Sequence, residues 1–173
     1  MRQFFDTFST PLGDFSVALD ANGSVIATAF GGLAELRERF SADDVVQDPG
    51  RLANARGEVM EYFAGQRQRF TIKVSPSGTP FQQNVWAALQ RISFGETRSY
   101  GELAAEVGNP AAARAIGRAN ATNPICLIIP CHRVIGGDGT LTGYAFGEDV
   151  KHRLLQHEGV GTLNKSLPLV ATP

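Results

Sequence analysis

Six consecutive residues, Ser75-Pro76-Ser77-Gly78-Thr79-Pro80, do most to limit how this chain can fold. Each proline removes a backbone donor and Gly78 adds conformational freedom, so neither a helix nor a strand should run through them. They separate a stretch in which apolar and polar residues alternate from one with helical spacing. The expected organisation is therefore two parts, residues 1–78 and 79–173, with no internal repeat and no low-complexity tract.

The first part reads as a small α/β unit. Residues 4–9, 14–19 and 25–30 have the alternation of strands. Pro11-Leu12-Gly13 and Asn22-Gly23 lie between them as turns, the second suited to a tight hairpin whose two central residues take positive φ. Residues 33–40 and 49–63 read as helices, with Asp48 as N-cap of the second and Pro49 at its first position. Residues 70–74 would close the sheet. This part holds no cysteine and groups no metal-ligating side chains, so scaffolding is its expected role and no bound metal is expected.

The second part is more helical. Thr79-Pro80-Phe81-Gln82 is a capping box that opens a helix to about residue 92, and Ser99-Tyr100-Gly101-Glu102 opens a shorter one through residue 107. Gly108-Asn109-Pro110 breaks the chain before a helix over 111–120, which is helix-turn-helix spacing. Ala111, Ala112, Ala113, Ala115, Gly117 and Ala119 leave this last helix almost bare, interrupted by Arg114 and Arg118. Such a surface suits close packing on another helix or close approach to a DNA groove. After Asn123-Pro124, residues 125–129 read as a buried strand, and a final helix over 148–157 stops at Gly159.

Charge narrows the partners. The net charge of −1 rules out a broad basic field. Up to Gly78 there are eight basic and ten acidic residues, and beyond it eight basic and seven acidic. Any DNA affinity is expected to come from a few placed arginines and backbone amides. No stretch approaches the roughly 20 apolar residues of a membrane span. The start, Met1-Arg2-Gln3-Phe4-Phe5-Asp6, lacks the apolar core of a signal peptide. Two cysteines, Cys126 and Cys131, make no disulfide framework, so a reducing cytoplasm is the expected setting.

The strongest local signal is Ile129-Pro130-Cys131-His132-Arg133-Val134. A free thiol titrates near about 8.5, so a nucleophile at neutral pH needs a base or a positive charge beside it. His132 can take the thiol proton if a partner orients its other nitrogen. Cys126 reads as a small buried hydrophobe. A metal site of Cys126, Cys131 and His132 lacks common zinc spacing and a fourth ligand. No distant His and Asn neighbourhood suggests a cysteine protease.

Pro-Cys-His-Arg-Val at residues 130–134 stands with Phe94-Gly95-Glu96, Ser99-Tyr100, Ala113-Arg114-Ala115-Ile116-Gly117, Asn123-Pro124, Gly143-Tyr144 and His157-Glu158-Gly159. In these motifs and their order the sequence resembles the O6-alkylguanine-DNA alkyltransferases over residues 79–159; the first part resembles them in layout only. The resemblance implies an α/β, ribonuclease-H-like N-terminal domain and a mostly helical C-terminal domain with a winged helix-turn-helix. It implies irreversible transfer of an alkyl group, mainly methyl, from O6-alkylguanine in double-stranded DNA to Cys131. The reaction would run once per molecule, after the base is flipped out, with no cofactor. His132, bridged by water to Glu158, would take the thiol proton, and Tyr144 would donate a proton to the leaving purine. Asn123 would hold the turn before the active site, while the backbone at Cys131, Val134 and Ala145 would contact the guanine. The helix bearing Ala113, Ala115, Gly117 and Arg118 would enter the minor groove, Arg114 filling the vacated space and Tyr100 helping to turn the target phosphate. O4-alkylthymine is a further candidate substrate, and a monomer is expected, with clustering along DNA left open.

Two departures matter. Phe146 stands where many relatives carry glycine and is expected to line the pocket and restrict bulky adducts. The N-terminal half cannot supply the cysteines of the structural zinc found in some relatives. Two rivals fare worse than the repair reading. A non-enzymatic damage recogniser like the alkyltransferase-like proteins would lack Cys131. A transcriptional activator would need an added zinc-binding module, for which the chain has neither the length nor the cysteines.

Overall fold

The computed structural model describes residues 1–41, 43–141 and 143–161. It divides into two units: Met1–Ser77 with Pro124–Ile128, and Gly78–Asn123 with the chain from residue 129 onward. The first unit is thus discontinuous, unlike the simple split at residues 78 and 79 that the joint suggests.

The first unit is built on a mixed sheet of four strands, β1 (Gln3–Thr10), β2 (Gly13–Leu19), β3 (Val25–Phe30) and β4 (Val45–Gln47), in the order β3-β2-β1-β4. The first three pair antiparallel, and β4 runs parallel to β1. Helices α1 (Leu33–Arg37) and α2 (Ala53–Phe63) pack against it. From Phe15 to Leu19 every residue of β2 is buried, so this strand is covered on both faces. Asp20 Oδ1 accepts from the backbone N–H of Asn22 and Ser24 at 2.9 and 3.0 Å, and organises the β2–β3 turn. Only Gly23 of the Asn-Gly pair takes positive φ, 85°, so the loop is a longer one than the two-residue hairpin expected.

Three further expectations fail. Asp48 does not cap α2: its carboxylate accepts from Arg51 N–H in a separate turn, and the helix begins only at Ala53. Residues 70–74 form no strand, because only Val74 bridges Val25 at the edge of β3. Residues 125–129 also form no strand. Ile125 makes a single bridge to Thr28, after which Leu127, at φ 72°, turns the chain away. The Thr28 hydroxyl donates to Cys126 C=O at 2.8 Å and lies 3.2 Å from its sulfur, which leaves Cys126 buried as expected.

The second unit comprises α3 (Pro80–Leu89), α4 (Tyr100–Glu106), α5 (Ala113–Ala121), a 3-10 turn (Cys131–Arg133) and α6 (Glu148–His157), with a two-stranded parallel ladder of β5 (Arg98–Ser99) and β6 (Val134–Ile135). Both capping boxes form as read, on Thr79 and Ser99. Trp86 of α3 is buried and donates its indole N–H to Ala119 C=O of α5 at 2.8 Å. A Cβ added at Gly78 would lie 2.5 Å from the Trp86 ring, so packing as well as chain freedom requires glycine in the joint. Among the described residues no helix is long and apolar enough to cross a membrane.

Candidate active site

Cys131 opens the 3-10 turn and is 5% exposed. Two asparagines place it. Asn123 Nδ2 donates to Ile129 C=O at 2.9 Å, closing the base of the excursion through residues 124–128. Asn120, at the end of α5, donates to the carbonyl of Cys131 itself at 3.2 Å. Immediately after the turn, Val134 and Ile135 pair with Arg98 and Ser99, so the nucleophile segment is laddered to the residues that start α4.

His132 is fully buried and meets Glu158 directly, Nε2 to Oε2 at 2.8 Å. This corrects the expected water bridge between them, since at 2.8 Å no water fits. Glu158 also receives Arg133, Nε to Oε1 at 2.8 Å and a second guanidinium nitrogen to Oε2 at 3.0 Å. The guanidinium is completed by a bond to Ile92 C=O at 2.7 Å. Burial alone would raise the Glu158 carboxyl, but His132 and the guanidinium hold it well below the usual carboxylate range. Burial lowers His132 against the pull of Glu158, so the imidazole rests neutral. An ionised carboxylate only accepts, so Nε2 carries the proton and Nδ1 is the basic nitrogen. Nδ1 is buried with no partner among the described residues.

On α5, Arg114 and Arg118 are exposed and one turn apart, flanked by half-buried Ala113, Ala115 and Gly117. Tyr100 is half-buried at the start of α4. A Cβ at Gly117 would lie 3.9 Å from its ring, and one at Gly143 would lie 3.6 Å from its hydroxyl. Tyr144 and Phe146 meet edge to face with ring centroids 5.8 Å apart, while Ala145 between them is exposed and Val134 is buried. Among the described residues no cluster of His, Cys, Asp and Glu could hold a metal.

Residues 80–160 match the family described as 6-O-methylguanine DNA methyltransferase, DNA binding domain. The methylated-DNA–protein-cysteine methyltransferase of Methanosarcina acetivorans is 43% identical over 156 residues, 90% of this chain and 98% of that protein. The chain belongs to the methylated-DNA–protein-cysteine methyltransferase family. The constitutive enzyme of that name from Bacillus subtilis is 40% identical over 94% of this chain and 99% of its own. Among solved structures, Mycobacterium tuberculosis OGT in complex with DNA superposes with a TM-score of 0.81, at 40% identity over 91% of this chain and 92% of that one.

Three residues of this methyltransferase site went unread in the sequence. Arg133 was visible as part of the Pro-Cys-His-Arg-Val motif, but its pairing with Glu158 joins positions 25 apart in the chain. Asn120 lies in the last turn of α5, among alanines that signal no polar role. Lys151 is fully buried on α6, seven residues before Glu158 and hence on the same helical face. That spacing was the available signal. Burial lowers the Lys151 ammonium to about 8, against the attraction of Cys131 and Glu148.

Proposed function

We propose that this chain is a DNA repair protein that moves the alkyl group, mainly methyl, from O6-alkylguanine in double-stranded DNA to the sulfur of Cys131. The observation that carries this reading is His132, adjacent to Cys131, with Nε2 held by Glu158 at 2.8 Å and Nδ1 buried and free to take a proton. A water at Nδ1 relays the thiol proton, and the thiolate displaces the alkyl carbon from O6. Tyr144 protonates the purine as negative charge develops on it, which stabilises the transition state selectively. The product is a thioether that no neighbouring group can cleave, so each molecule reacts once. The damaged base is itself the alkyl donor, and no cofactor enters. Incubation with O6-methylguanine duplex followed by intact-protein mass measurement tests the reading, which fails if the protein gains no methyl group.

Chemistry on a stacked base requires flipping it out. We read α4 and α5 as a winged helix-turn-helix, with α5 in the minor groove. The near absence of side chains on that helix supports this, because the groove is only about 6 Å wide. Arg114 then fills the space the base leaves, Tyr100 turns the target phosphate, and Ala113, Ala115, Gly117 and Arg118 line the groove. Asn123 holds the approach to the nucleophile, while Val134, Ala145 and Phe146 line the guanine pocket. The first 78 residues serve as a ribonuclease-H-like scaffold, a reading supported by the β3-β2-β1-β4 order with parallel β4. The protein works in the cytoplasm as a monomer. Clustering along DNA and O4-alkylthymine repair are extensions of the same reading.

Two results are expected from this arrangement. With net charge −1 and few arginines on α5, the slope of log affinity against log salt in a binding titration is shallower than about −4. Phe146 packs on Tyr144 at the pocket, so Phe146→Gly raises the ratio of benzyl to methyl transfer rates by about tenfold. Unchanged ratios would remove Phe146 from the specificity argument.

A further inference from the structure

The mechanism above leaves a buried charge unused. Lys151 has none of its surface exposed, a state that lysine rarely adopts without a partner. It lies on the face of α6 that continues through buried Leu154, Leu155 and Glu158, and α6 packs against the 3-10 turn bearing Cys131. The charged and titratable groups of that turn are Cys131, His132 and Arg133. On α6 and at its C-cap they are, besides Lys151, Glu148, Asp149, His152, Arg153, His157 and Glu158, of which only His152 and Glu158 are buried. Arg133 and Glu158 are committed to each other and to His132. The ammonium is drawn to Cys131 first and to Glu148 second, and it disfavours protonation of His132. Glu148 is partly exposed, so water screens it; Cys131 is buried together with the lysine.

We propose that Lys151 is a positioning residue for alkyl transfer, its ammonium serving as the counter-ion that holds the Cys131 sulfur as a thiolate. The proposal rests on the reading of Cys131 as the alkyl acceptor. The thiol proton passes by way of water to His132 Nδ1. A sulfur electron pair then forms the S–C bond while the C–O6 bond breaks toward the guanine. Tyr144 protonates the guanine, and the proton on His132 restores the tyrosine through solvent. Lys151 keeps its proton throughout the transfer and stabilises the one negatively charged reactant that burial would otherwise disfavour. Once the sulfur is a neutral thioether, the ammonium has lost that counter-charge and gives up its proton more readily.

The pairing predicts two reciprocal shifts, since each group must perturb the other by the same free energy. In the full-length protein, the rate of iodoacetamide alkylation at Cys131, followed by peptide mass, should reach its plateau at higher pH in Lys151→Met than in wild type. The midpoint should rise by about one pH unit, which is about tenfold slower alkylation near neutrality. At pH values where both thiols are fully ionised, the two rates should converge, which a disturbed fold would not produce. The second measurement leaves Lys151 in place. By NMR of 13C-lysine-labelled protein, its titration midpoint should fall in Cys131→Ala relative to wild type. An unchanged lysine midpoint there would overturn the proposal and assign the ammonium to Glu148; an unchanged Cys131 profile in a folded Lys151→Met would overturn it too. Neither readout uses damaged DNA, so failure of methyl transfer and failure of this charge pairing are separate results.

Discussion

Presented with duplex DNA containing O6-methylguanine, the wild-type protein gains the mass of one methyl group and Cys131→Ala gains none. The effect is all-or-none because alanine removes the atom that forms the new bond. Cys126 cannot substitute. It is buried in the first unit, its carbonyl accepts from the Thr28 hydroxyl, and its sulfur lies beside that same hydroxyl. Peptide mapping should therefore place the added methyl on the fragment carrying Cys131. The variant should still bind DNA, since Arg114 and Arg118 lie on the exposed face of α5 and the sulfur is buried. Methyl gain by Cys131→Ala would remove the acceptor assignment altogether, whatever the binding result.

Glu158→Gln should have the second largest effect, on stability and rate together. Glu158 accepts from His132 and twice from Arg133, all inside the unit. A neutral amide leaves the Arg133 guanidinium buried without a compensating charge, which costs about 3 kcal/mol. For a chain of this size that lowers the melting midpoint by about 6–12 °C. The imidazole also loses the carboxylate that fixes its tautomer, and single-turnover methyl transfer should slow by about a hundredfold. The pH dependence has a definite sign. The folded carboxyl is held below its ordinary range, so its contribution is present above the unfolded value near about 4.3 and is lost as pH falls. Buried His132 destabilises both proteins as the unfolded imidazole gains its proton from about pH 6.5 downward. Thermal melts should therefore show the gap between wild type and Glu158→Gln narrowing from pH 7 to pH 3, and the narrowing is read below about pH 5, where the carboxyl contribution is lost. A constant gap would mean that Glu158 contributes through packing and not through charge.

Local chemistry made much of this molecule readable in advance. The Thr79 and Ser99 capping boxes and the bounds of α6 depend on residues three or four apart, and they stand as read. The three antiparallel strands also show plainly in their alternation. The features without a local signal depend on distant partners. β4 is the three residues Val45–Gln47, too short for any period, and exists because β1 offers it an edge. Residues 125–129 are as apolar as a buried strand, yet the bonds from Thr28 N–H to Pro124 C=O and from the Thr28 hydroxyl to Cys126 C=O tie their start to β3 as a turn. At the site, adjacency revealed Cys131 and His132. The union of Arg133 with Glu158 and the burial of Lys151 follow from how α6 lies on the 3-10 turn, which local spacing does not encode.

Trp86 is the only tryptophan in the chain, and its indole is bonded to Ala119, next to the asparagine that holds the Cys131 carbonyl. The protein thus contains an intrinsic fluorophore wired to the helix that carries the arginines and, one hydrogen bond further, to the nucleophile. Docking of a duplex on α5 or strain from a new group on the sulfur alters the surroundings of a single emitting ring. Stopped-flow emission from unlabelled protein can then separate the encounter with DNA from the chemical step in time.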